Sequence, residues 1–175
     1  MKRISMTLSL LFICALSSFA QNQKSEAVKD WIDQWKIATD QLIAIADAMP
    51  AEKYDYKPTK EVENFGDQLK HTAVAMRILL ANAEGKKVEL KDVMLDKLKT
   101  KEEIIAELRK VAAEGVAVVN RIAGKNDGEV VESQFFGKTT RRFLLIQAIA
   151  HNNNHYGQLV YYLRLNGITP PASRG

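Results

Sequence analysis

One cysteine, four prolines and nine glycines in 175 residues exclude several classes of protein at once. A lone cysteine, Cys14, cannot build a disulfide framework. So few glycines and prolines exclude a collagen-like repeat and a low-complexity chain. There is no block of basic residues and no interleaving of basic with aromatic side chains, so nucleic-acid binding has no support. The one long apolar run, Ile4–Leu16, is shorter than the roughly 20 residues of a membrane span, which excludes a multi-span protein. What remains is 46% hydrophobic and 26% charged, with a formal charge of +4. That is the composition of one globular domain long enough to bury a core.

The first twenty residues read as a secretory signal peptide. Lys2 and Arg3 form a short positive region, the apolar run follows, and Ser18-Phe19-Ala20 supplies the small residues of a cleavage site after Ala20. An uncleaved anchor is disfavoured by the short run, and a lipoprotein signal by Ile13, which stands before Cys14 where a small residue is expected. Cleavage takes basic residues from 25 to 23 against 21 acidic, a net of +2, and leaves residues 21–175 as one domain. That domain has no cysteine, which suits an oxidising compartment and excludes a protein thiol as nucleophile, redox centre or metal ligand. The expected location is the periplasm or the medium, with no stable membrane insertion after cleavage.

Four amphipathic helices follow. The first runs from about Lys24 to Met49, with Val28, Trp31, Trp35, Ala38, Leu42 and Ile45 at spacings of three and four, and Pro50 and Pro58 behind it. Trp31 and Trp35 share a face and are expected in the core. The second begins near Phe65, with Asn64 as cap and Asp67 three later, and stops at Gly85. Its stripe includes Leu69, Thr72, Met76, Leu79 and Ala83. The third starts at Thr100 with Glu103 three later, a stronger capping box, and ends at Gly124. Gly115 within it lowers helix propensity, by roughly 1 kcal/mol against alanine, and lets a neighbouring helix approach closely. The fourth runs from about Thr140 to Asn166, with Gly167, Pro170 and Pro171 beyond. The stretch Glu129–Phe136 has some β character but is short, and no strand is expected to compete with the helices. The expected fold is all-α, an antiparallel four-helix bundle whose connections of roughly 15 residues are long enough to wall a site.

Polar chemistry concentrates in three histidines: His71, His151 and His155. His151 and His155 are four apart, so their rings stack along one face of the fourth helix, within its apolar stripe of Leu144, Ala148, Leu159 and Tyr162. Two buried imidazoles without partners are unfavourable, and a shared metal ion relieves that; packed or hydrogen-bonded histidines are the alternative. His71 stands about a third of a turn from the centre of its own stripe, either on a seam facing the fourth helix or half exposed. Asn152, Asn153 and Asn154 fill the gap between the pair, so the glutamate of the zinc-protease motif is missing. Gln158 and Tyr162 follow on the same face, placed either to bond a ligand or to supply ordinary polarity. They are the candidate catalytic residues.

The segment His151-Asn-Asn-Asn-His155-Tyr-Gly-Gln158-Leu, with Tyr162-Leu-Arg-Leu-Asn-Gly167 and Pro170-Pro171 after it, resembles the C-terminal signature of the DinB/YfiT-like superfamily. So does Phe65-Gly-Asp-Gln-Leu-Lys-His71, with Tyr56-Lys57-Pro58 before it. The resemblance covers essentially the whole domain. It implies a four-helix bundle of up-down-down-up topology and a divalent metal held by His71, His151 and His155. Three protein ligands leave a coordination position open, as in catalytic sites. Relatives include S-transferases that use a low-molecular-weight thiol, and family members are often dimers. The family often has arginine where Tyr156 stands, and thiol transferases work in the cytosol whereas this chain reads as exported.

Three functions follow as expectations. The first is an exported metal-dependent transferase or hydrolase acting on a small molecule. The second is a helical module that binds a metal or small ligand without turnover. The third is a structural bundle with a vestigial site. Imidazole ligands do not choose between zinc, nickel and iron.

Overall fold

The computed structural model describes residues 26–174. The expected signal peptide and the first residues of the first helix lie outside them. Four long helices dominate: α1 over residues 26–48, α2 (Phe65–Ala83), α4 (Lys101–Ile122) and α5 (Arg141–Leu165). A single short helix, α3 (Leu90–Val93), lies between α2 and α4. The fold is all-α, with two short strands added. No helix among the described residues is long and apolar enough to cross a membrane.

The helix starts follow local chemistry. Asn64 Oδ1 accepts the N–H of Asp67 at 2.7 Å and caps α2. Asp67 does not close the reciprocal half of that cap; its carboxylate pairs with Lys70 at 2.6 Å, one turn on. At α4 the box is complete: Thr100 accepts from Glu103 N–H, and the Glu103 carboxylate accepts from the N–H groups of Lys99 and Thr100. Those backbone donors hold the Glu103 carboxyl below the usual range. Gly85 takes φ 78° just past α2, a left-handed conformation that makes it the natural stop.

The stripes meet in one core. Leu42, Ile45 and Met49 of the α1 segment, Phe65, Leu69 and Met76 of α2, Leu108 and Val111 of α4, and Leu144 and Leu159 of α5 are all buried. α2 packs more extensively on α5 than on α4. Trp35 is 1% exposed, and its indole N–H donates to Ala112 O at 2.8 Å, joining α1 to α4. Gly115 makes that approach possible, since a Cβ there would lie 2.1 Å from Trp35 Cζ2. Trp31 is half-buried at the edge of this packing.

The expectation of no strand is corrected. β1 (Val130–Ser133) and β2 (Gly137–Thr140) form an antiparallel hairpin in the register Val130↔Thr140 to Ser133↔Gly137. Val131 and Ser133 face inward while Val130 and Glu132 face solvent, the alternation of a half-buried strand. Four residues do not hold a strand by propensity, and here a side chain of α2 holds it. Asn82, fully buried, accepts from Ser133 Oγ at 3.1 Å and from Gln134 N–H at 3.0 Å. Gln134 then bonds both backbone groups of Val88, at 3.2 and 2.7 Å. The α4–α5 connection is thereby fastened to the α2–α4 connection, and together they overhang the helix pair α2/α5.

Candidate metal centre

The α2/α5 contact is where the three histidines meet. His71 projects from α2 and is exposed, His151 is half-buried, and His155 is 9% exposed. Their ring centroids stand 5.4 Å (71–151), 5.0 Å (71–155) and 4.4 Å (151–155) apart. One nitrogen from each ring lies within 4.8 Å of the others, a convergence that suits one shared cation. Of the two sequence readings for His71, the seam facing the last helix is the one observed.

The surroundings of the rings suit a metal as well. The Nδ1–H of His155 faces Gln68 Oε1 at 2.8 Å. An amide oxygen only accepts, so this bond fixes the tautomer and leaves the lone pair on Nε2, the arrangement of an oriented ligand. His151 Nδ1 is buried and has no hydrogen-bond partner among the described residues. A polar atom in that condition is unfavourable unless something else, such as a cation, satisfies it. Burial, followed by the neighbouring His151 and His71, pushes His155 down to about 4. Burial and then His71 lower His151. Both rings are therefore neutral at pH 7, as ligands must be.

Those shifts set a pH dependence. An unfolded chain's histidine takes up its proton near pH 6.5, while the folded His155 ring resists down to about 4. The unfolded state then binds more protons, so stability is fully present above about pH 6.5 and declines as the pH falls from there towards 4. In metal-free protein the urea midpoint falls between pH 7.5 and pH 5, and it falls less in His155→Gln. An equal fall in the two proteins contradicts the assignment of this window to His155.

Gln158 and Tyr162 occupy other places. Gln158 is exposed and its amide donates to Asn154 Oδ1 at 3.2 Å. Tyr162 is buried, and its hydroxyl donates to Glu63 O at 2.8 Å, tying α5 to the segment before α2. Burial above all raises the pKa of that hydroxyl.

Several neighbours of the triad carried no signal as separate residues. Gln68 stands three before His71, so it lies one turn along the same helix, and that spacing is the only sequence clue to its role. Replacing Gln68 with leucine frees the His155 ring, and loss of such a supporting bond lowers metal affinity about 10–100-fold. A competitive chelator titration measures this, and unchanged affinity contradicts the orienting role. Glu63, Asp67, Lys70 and Asp96 line a polar cleft of about 310 Å³ on one side of His71. On its other side an apolar cavity of about 410 Å³ reaches His151. The long connections supply walls to both.

Residues 34–159 match the DinB superfamily. Two solved structures share the fold. A DinB-like protein from Bacillus cereus ATCC 10987 superposes with a TM-score of 0.68 at 22% identity, over 82% of this chain and 95% of its own. A DinB-like protein from Bacillus subtilis gives 0.65 at 18% identity, over 80% and 94%. No curated protein sequence matches the chain.

Proposed function

Because the chain belongs to the DinB superfamily, and because its three histidines converge across the α2/α5 contact, we propose that it is an exported metal-dependent enzyme that holds one divalent cation through His71, His151 and His155. The observation that carries this reading is the convergence of one nitrogen from each histidine within 4.8 Å, with His155 oriented by Gln68. The reading includes the up-down-down-up course of the four helices and a location in the periplasm or the medium.

A divalent ion with three imidazole ligands supplies a Lewis-acid position open to a donor atom of the substrate. The chain's own residues do the rest. His155 and Gln68 fix the inner wall. His71, exposed, faces the opening. The apolar cavity excludes water from one side, and the carboxylates of Glu63, Asp67 and Asp96 line the cleft on the other. Hydrolysis and transfer to a low-molecular-weight thiol are the reactions that suit such a site. Gln158 and Tyr162 contribute to turnover only after leaving the bonds they make with Asn154 and Glu63. Tyr162's commitment favours the second reading, a module that binds a metal or small ligand without turnover.

Cobalt(II) loading tests the open position. Adding 2-mercaptoethanol or azide to the cobalt protein changes its visible and near-ultraviolet spectrum saturably, and His155→Ala abolishes the cobalt spectrum. A spectrum indifferent to both additives reports a closed coordination sphere and contradicts the enzyme reading.

A further inference from the structure

The cavity beside His71 and His151 is apolar everywhere except at those two rings. Val74, Ala75 and Ile78 of α2 supply one wall. Leu90 and Met94 form one rim, and Phe135 and Phe136, at the tip of the hairpin, form the other. These four rim residues are 53%, 47%, 60% and 43% exposed. Large apolar side chains left singly in water need no explanation, but four around one opening mark a binding site. The two rims belong to the two connections that Gln134 fastens together at Val88, so the opening is held in place rather than left to loop motion.

From this geometry we infer that the substrate has an uncharged aromatic or branched aliphatic body, seated between α3 and the hairpin tip, with one metal-ligating group at the end that meets His71 and His151. The inference rests on the metal-dependent reading above and adds the substrate class to it. Among the described residues, the two imidazoles are the only polar side chains in the wall. A sugar, a nucleotide or a phosphorylated compound placed there loses water from groups that find no partner, whereas an apolar body gains by burial. The cleft beyond His71 gives anions no alternative. It carries the carboxylates of Glu63, Asp67 and Asp96, and its one cation, Lys70, is already paired with Asp67.

Two hydroxamates with the same metal-binding group test it: benzohydroxamate, which has an aromatic body, and acetohydroxamate, which has none. On zinc-loaded protein, calorimetry finds benzohydroxamate bound at least tenfold more tightly. The preference falls to near unity in Phe135→Ser and in Leu90→Ser, two exposed positions on separate elements whose folding circular dichroism checks. Metal-free protein binds the neutral dye N-phenyl-1-naphthylamine saturably, and both substitutions weaken that binding at least fivefold. Equal affinity for the two hydroxamates in protein that retains its zinc overturns the substrate class and leaves the metal reading standing. Dye binding indifferent to both substitutions overturns it too. A sample that takes up no zinc overturns the metal reading, and this inference with it; the zinc content of the same sample tells the cases apart.

Discussion

Saturating divalent metal raises the thermal midpoint of the protein by roughly 10 °C over the chelated form. A ligand that binds only the folded state stabilises it by about 4 kcal/mol when its free concentration is a thousand times Kd. For a domain of about 150 residues each kcal/mol moves the midpoint by roughly 2–4 °C. The folded state alone can bind in this way, because the ligands come from two helices: His71 stands on α2 and the other two on α5, 80 and 84 positions along the chain. In an unfolded chain only the His151/His155 pair remains local, and it offers two ligands instead of three. The His151→Ala/His155→Ala variant has no such metal-dependent difference. Differential scanning calorimetry with and without a chelator checks it. Coincident midpoints for the native protein in the two conditions contradict a folded-state metal site.

The second large effect lies in the core, at Gly115. Alanine there gains roughly 1 kcal/mol of helix propensity on its own. Its methyl group meets the Trp35 ring, with Cζ2, Cε2 and Nε1 at 2.1, 2.2 and 2.6 Å, distances at which something must move. The indole is packed and bonded to Ala112 O, so its displacement strains the core and breaks the one hydrogen bond its N–H makes to α4. Overpacking of this kind typically costs about 1–3 kcal/mol, and the lost bond adds roughly 1. The net expectation is a loss of about 2 kcal/mol for Gly115→Ala, read as a lower urea midpoint. A double-mutant cycle with Trp35→Leu isolates the cause. The smaller side chain leaves room for the methyl, so the paired loss falls short of the sum of the single losses by at least about 1 kcal/mol. Strict additivity contradicts the close approach as the reason for the glycine.

These two cases also show which features a sequence displays. Gly115 stands within the apolar stripe of a strongly periodic helix, so a close approach there was legible, though not that Trp35 fills it. The helix starts at Asn64 and Thr100 were legible because capping is local chemistry. The partial cap at Asn64 was not, because Asp67 chooses between a backbone N–H and Lys70, and only the three-dimensional arrangement decides. The His151/His155 pair was visible as a four-residue spacing. Its meeting with His71 depends on how α2 docks on α5, a long-range event that periodicity constrains only to a face. The hairpin was missed for a similar reason. Its strands are too short to announce themselves, and the side chain that holds them, Asn82, sits about fifty residues earlier on another element. With the hairpin went Phe135 and Phe136, two aromatics that a loop reading gives no role and that the structure places beside His71 and His151.

The central claim is that the three histidines hold one ion, and metal content tests it most directly. The protein is purified without a nickel column, dialysed after exposure to zinc, and measured by elemental mass spectrometry beside the His151→Ala/His155→Ala variant. The account predicts about one equivalent of zinc in the native protein and none in the variant, with both folded. No metal in the native protein after exposure to zinc, nickel, manganese and iron in turn contradicts it, and equal metal in the two proteins contradicts it as well.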